Sequence, residues 1–130
     1  MNVLIVDDSR FLRLMNERAL LKAGFEVLSA ADGEEGLRLA IEHKPALVVL
    51  DMMLPKLSGP DVLRALRKDP GTALTPVMVL TRLPQRNAQK LVSEGATSYF
   101  EKSGLNLDQG SGFFVDAVQR MLSKAKAAGC

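Results

Sequence analysis

Five polar groups in this chain of 130 residues stand at the ends of apolar runs: Asp7 and Asp8 after Asn2–Val6, Asp51 after Leu47–Leu50, Thr81 after Pro76–Leu80, and Lys102 just beyond Ser98–Phe100. Three carboxylates brought close together cannot all stay ionised without compensation. A hard divalent cation is the natural remedy, and magnesium, or manganese in its place, suits a few carboxylates, some water and a shared phosphate oxygen. Lys102 would add positive charge from the other side, and the Thr81 hydroxyl can donate to an anionic oxygen. The sequence contains no phosphate-cradling glycine loop, which leaves Asp51 as the well-placed nucleophile, because a carboxylate can form an acyl phosphate. Phosphoryl transfer passes through a loose transition state that asks mainly for positioning and charge neutralisation. These residue types therefore describe a place for a phosphoryl group beside a metal.

That chemistry requires the runs to end on one edge of one scaffold. Asn2 to Val6 reads as a strand, followed by a helix that Asp8 or Ser9 caps and that carries apolar residues at Phe11, Leu12, Met15, Ala19 and Ala23. Leu12 and Met15, with Leu63 further on, are assigned to the core. Gly24 closes the first helix, Phe25 to Ala30 forms a second strand, and Asp32-Gly33-Glu34-Glu35 opens a second helix as a capping box, running to about His43. After Pro45 comes the third strand, whose valine-rich run suggests burial on both faces. Ser58-Gly59-Pro60-Asp61 starts a third helix that ends near Asp69. Pro70-Gly71 turns into a fourth strand, Pro84 opens a fourth helix ending near Gly95, and Ser98 to Phe100 is a short fifth strand. A polar, glycine-rich loop from Ser103 to Gly112 precedes a last helix from about Phe113 to Ala127.

Five alternations of strand and helix predict an α/β fold, a three-layer doubly wound (βα)5 sandwich around a five-stranded parallel sheet joined by right-handed crossovers. In such sheets the ligand site lies outside the carboxyl ends of the strands. A flavodoxin-like order 2-1-3-4-5 makes the first and third strands neighbours and brings Asp7, Asp8 and Asp51 together.

Composition bounds the rest. Apolar residues make up 47% and charged residues 25% of the chain, as in an ordinary globular domain; residues 1–126 are assigned to one folded domain and 127–130 to a short tail. The net charge of +2 comes from scattered Lys and Arg, without the basic stripe interleaved with aromatics that direct nucleic-acid binding needs. The single cysteine, Cys130, excludes an internal disulfide and fits a reducing compartment. No apolar run reaches the ~18–20 residues of a membrane span, and no signal peptide opens the chain, so the expectation is a cytoplasmic protein without membrane insertion. His43, the only histidine, falls at a helix end, where it favours the dipole, and is given no chemical role.

Asp-Asp-Ser after strand one, Asp51-x-x-x-Pro55 with Gly59, Thr81, and Tyr99-x-x-Lys102 together resemble the receiver domain of two-component response regulators, CheY-like in kind, over residues 2 to about 125. The resemblance implies that Asp51 accepts a phosphoryl group from a phosphohistidine on a sensor histidine kinase or a histidine phosphotransfer protein. It implies that Asp8 and Asp51 bind magnesium directly and Asp7 through water, with the backbone carbonyl of Met53 completing the set. Thr81 and Lys102 would hold phosphoryl oxygens, and Tyr99 would turn inward when Thr81 is drawn toward the phosphate. A phosphate brings about −1.5 to −2 charges and strong acceptors, and the resulting change would appear on the face of the fourth helix, fifth strand and fifth helix. The output would pass to a downstream protein, from a monomer or a phosphorylation-dependent dimer.

Four positions depart from the family pattern. Arg82 follows Thr81 where a small residue is usual and is expected to restrict access by small phosphodonors. Met53 and Leu83, each two residues beyond a site residue, are apolar where many receivers carry groups that orient a hydrolytic water, so a long-lived acyl phosphate is expected. Ser103 replaces the proline that usually follows Lys102, removing the tertiary amide that makes a cis bond cheap. Two competing functions fit the same residues: a degenerate receiver that works as a phosphorylation-independent interaction module, and a metal-dependent phosphohydrolase. The second usually needs a carboxylate where Met53 stands. No segment beyond the last helix reads as an effector domain.

Overall fold

The computed structural model describes residues 2–51, 56–57, 59–81, 98–101, 115–116 and 118–123, with 80–81 and 98–101 described by their backbone. In chain order the elements are β1 (Asn2–Val6), α1 (Arg10–Lys22), β2 (Glu26–Ala30), α2 (Gly33–His43), β3 (Leu47–Asp51), α3 (Gly59–Lys68), β4 (Val77–Thr81) and β5 (Ser98–Glu101). The strands form one parallel sheet in the order β2-β1-β3-β4-β5, the flavodoxin-like arrangement that the alternation requires. Helical residues near 115–123 belong to the last expected helix; the expected fourth helix and the Ser103–Gly112 loop lie outside the described residues.

Alternation along the strands divides the core into two layers. Leu4 and Val6 of β1, Val48 and Leu50 of β3, and Val77 and Val79 of β4 pack with Val62, Leu63 and Leu66 of α3 and Ala40 of α2. Val3, Ile5, Leu47, Val49 and Met78 face the other way, onto Leu20 of α1 and Val118, Met121 and Leu122. The two central strands are therefore covered on both faces, which is why β1 and β3 read as unbroken apolar runs. Burying a Val, Leu or Ile side chain contributes about 1.5–3 kcal/mol, so these strands hold the sheet and fix where it ends.

The helix ends resolve choices the sequence left open. Ser9, not Asp8, caps α1: its side chain accepts the N–H of Leu12 at 3.4 Å. Asp32 caps α2, its Oδ1 accepting the N–H of Glu35 at 2.8 Å. Gly24 closes α1 at φ 97°. The core face of α1 differs from expectation. Leu12 and Met15 are half-buried, and Ala23 and Phe11 are exposed, Phe11 to 61%, while Asn16 and Leu20 are the buried positions. Leu20 faces the sheet, and at 3.6 residues per turn Phe11 lies about two and a half turns earlier, on the opposite side. Leu63 is fully buried as expected.

Candidate functional site

The site lies at the carboxyl edge of the sheet, and strand register builds it. Val6 pairs with Leu50, so the next residues on each chain, Asp7 and Asp51, leave the sheet side by side. Asp51 in turn pairs with Leu80, and Thr81 with Glu101. Thr81 is thus one step beyond the partner of Asp51, and Lys102 follows the partner of Thr81.

The carboxylates of Asp7, Asp8 and Asp51 each place an oxygen within 4.8 Å of the others. Asp7 is fully buried, Asp51 is 4% exposed, and Asp8 faces solvent. Local bonds hold Asp7: its Oδ1 accepts the N–H of Ser9 at 2.9 Å, and its own N–H donates to Ala30 at 3.1 Å. Arg13, about one turn into α1, reaches back along the helix to donate from Nη1 to the Asp7 carbonyl at 2.8 Å. Because Ser9 takes the capping position, Asp8 is left to the cluster.

Carboxylates withdrawn from water are costly unless a counter-charge meets them. Three oxygen donors, two on buried side chains and one at the solvent face, form a partial shell of hard ligands. That donor set fits a magnesium-like ion that keeps water and shares an outer ligand.

Of the other expected site residues, Thr81 and Tyr99 are placed by strand register, Tyr99 opposite Val79. Met53, Arg82, Leu83, Lys102 and Ser103 lie outside the described residues. Sequence reasoning missed Arg13 and the β3–α3 side of the site. There Lys56 sits in the left-handed region at φ 67°, and its Nζ lies 3.6 Å from Asp32 Oδ2. The Glu35 N–H, more than the Lys56 charge, holds the Asp32 carboxyl below the usual carboxylate range. For Arg13, the available signal was its position six residues after Asp7 on a helix whose side chains lean toward the N-terminus.

A parallel doubly wound sheet with an acid cluster at the ends of its first and third strands is the architecture expected of a receiver. The model of the response regulator receiver domain matches residues 3–108. Among relatives, the alkaline phosphatase synthesis transcriptional regulatory protein PhoP of Bacillus subtilis is 38% identical over 101 residues, which cover 77% of this chain and 41% of that protein. The DNA-binding dual master transcriptional regulator RpaA of Synechocystis is 39% identical over 101 residues, 77% of this chain and 42% of that protein. The chain thus matches well under half the length of these curated relatives. Among solved structures, the chemotaxis response regulator CheY4 of Vibrio cholerae superposes with a TM-score of 0.84 at 30% identity, covering 92% of this chain and 97% of that one. The response regulator domain of Thermotoga maritima CheB gives 0.81 at 26% identity, with 95% and 96% covered. The chain belongs to the response regulator receiver domain family, the CheY-like receivers of two-component systems. No helix among the described residues is long and apolar enough to cross a membrane.

Proposed function

We propose that this receiver accepts a phosphoryl group on Asp51 from a phosphohistidine of a sensor kinase or phosphotransfer protein. The convergence of Asp7, Asp8 and Asp51 at the carboxyl edge carries this reading. An Asp51 carboxylate oxygen attacks phosphorus, the P–N bond to the donor imidazole breaks as the O–P bond forms, and the ring leaves as neutral imidazole, keeping the proton already on its other nitrogen. Asp8 and Asp51 would hold magnesium directly, Asp7 through water and Met53 through its carbonyl. The ion, when bound, neutralises charge on the phosphoryl oxygens. Thr81 and Lys102 hold the remaining oxygens. Arg82 screens the entrance, and Met53 and Leu83 leave a hydrolytic water without an orienting partner. Drawing Thr81 inward releases the position toward which Tyr99 turns, altering the output face for a downstream protein, either in the monomer or in a dimer.

The proposed receiver unit takes in residues 1–126 of the chain. The DNA binding named for RpaA belongs to a protein of which the match covers 42%, and is not carried over to this unit. The deciding experiment offers a phosphorylated histidine phosphotransfer protein, with phosphoramidate beside it as a small donor, with and without magnesium, and follows hydroxylamine-labile phosphate on the chain. Labelling that needs magnesium and disappears in Asp51→Asn supports the proposal. An unlabelled, well-folded wild-type chain that still captures a partner would point instead to the degenerate interaction module.

A further inference from the structure

The reading of Asp51 as phosphoacceptor needs more than the acid itself, because a group moved by about 1 Å can lose a hundredfold in rate. One end of the β3–α3 connection is fixed: Asp51 is paired into the sheet next to β4. The other end meets the start of α2. Gly33, buried at the first position of that helix, lies so close to residue 57 that an added Cβ would stand 1.8 Å from the Leu57 carbonyl oxygen and 2.7 Å from its carbon. This approach is backbone to backbone, so no change of rotamer can relieve it. The preceding residue, Lys56, holds φ 67°, a region disfavoured for a residue with a Cβ. Its ammonium group reaches Asp32, the N-cap of α2, at 3.6 Å. The Leu57 side chain packs on the core layer that α2 and α3 cover.

We infer that Asp32 and Gly33 are positioning residues for the phosphoryl site: together with Lys56 they fix where the chain that leaves Asp51 returns to the fold. This inference rests on the proposed role of Asp51. Asp32 serves twice, since one carboxylate oxygen caps α2 and the other meets Lys56. Gly33 is required for close approach and not for an unusual φ. A side chain there must push residue 57, six positions after Asp51 in the sequence, away from α2. Lys56 contributes less, because its side chain is 62% exposed and exposed ion pairs are weak.

The test titrates magnesium alone into the unphosphorylated full chain and reads the Kd by calorimetry, with the Tm of each variant measured separately in metal-free buffer. Gly33→Ala should weaken magnesium binding about tenfold, the scale of a lost supporting contact around a metal site, and Lys56→Gln about twofold, the scale of an exposed ion pair. Arg67→Met, which loosens the opposite edge of the sheet, should lower the Tm and leave the Kd unchanged. Equal magnesium affinity in wild type, Gly33→Ala and Lys56→Gln would overturn the inference even if Gly33→Ala melts earlier, since a merely structural role moves only the Tm. If Gly33→Ala does not fold, Lys56→Gln decides alone. A wild type that binds no magnesium and takes up no phosphoryl group would remove the Asp51 reading itself, whereas normal wild-type behaviour with unaffected variants sinks this inference only.

Discussion

At the amino-terminal edge of the sheet the turn between α3 and β4 folds around one cation, whereas at the carboxyl edge three acids crowd together. Arg67 Nη1 donates to the carbonyls of Thr72, Ala73 and Thr75 at 3.3, 3.1 and 2.7 Å. The buried Thr72 hydroxyl donates to Leu66 at 2.7 Å, and the Ala46 N–H is shared between the carbonyl and side-chain oxygens of Asn2. Here each polar group drawn inward meets an opposite partner, the usual condition of buried backbone. At the other edge Asp7 and Asp51 are buried next to like charge. One edge joins a cation to backbone carbonyls, while the other gathers three acids where a cation would bind. Substitutions should therefore separate stability from function according to the edge they touch.

The largest effect expected is at Asp51. Asp51→Asn should abolish phosphoryl uptake, yet raise the Tm in metal-free buffer, because a neutral group of the same shape removes repulsion from Asp7 and Asp8. A lower Tm in metal-free buffer would show that the acids are not in conflict. The opposite edge should respond in the opposite sense. Arg67→Met removes a partly buried cation and leaves carbonyls to find water, at a cost of about 2 kcal/mol in urea unfolding, with phosphoryl uptake by the folded chain unchanged. Burial already lowers the pKa of this guanidinium from its ordinary value, but far above neutrality the clamp stays charged. A third, smaller change sharpens the contrast between a used and an idle polar group. Asn16 is 4% exposed on the sheet side of α1, and its Nδ2 has no hydrogen-bond partner among the described residues. Asn16→Leu should stabilise the chain by about 1 kcal/mol; a loss of stability would mean that the amide does find a partner, or that the site has no room for a larger side chain.

Much of this division was legible in the sequence, for identifiable reasons. Unbroken runs such as Val3–Val6 and Leu47–Leu50, short and rich in β-branched residues, read as strands covered on both faces, and their abrupt ends at Asp7 and Asp51 mark one edge. The N-cap of α2 was legible because Asp32 acts within four residues. The burial of α1 was not, since Phe11, Leu12, Met15 and Ala19 offer several apolar arcs, and only Leu20 against Ile5 and Val49 decides which faces inward. Arg67 and Lys56 were invisible for another reason. Each works by reaching backbone or a cap contributed by a different turn of chain, and neither residue type nor spacing announces such a contact.

The smallest expected effect tests whether Asp32 belongs to the stabilising device or only to the site. Its carboxyl is held below the ordinary value of 3.8, first by the Glu35 N–H and less by Lys56. A carboxyl whose pKa is lower in the folded chain than in the unfolded one adds stability that is fully present above the unfolded value, and that stability is lost as pH falls through the folded value. Asp32→Asn keeps an amide oxygen able to cap α2 but cannot titrate, and it loses the ion pair with Lys56. The stability gap between wild type and Asp32→Asn, measured by urea unfolding, should therefore be constant above about pH 5 and close as the pH falls below the ordinary carboxyl value. A gap that stays the same at pH 3 and pH 7 would mean that charge on Asp32 contributes nothing to the fold. Its contact with Lys56 would then matter only for where the chain beyond Asp51 is held.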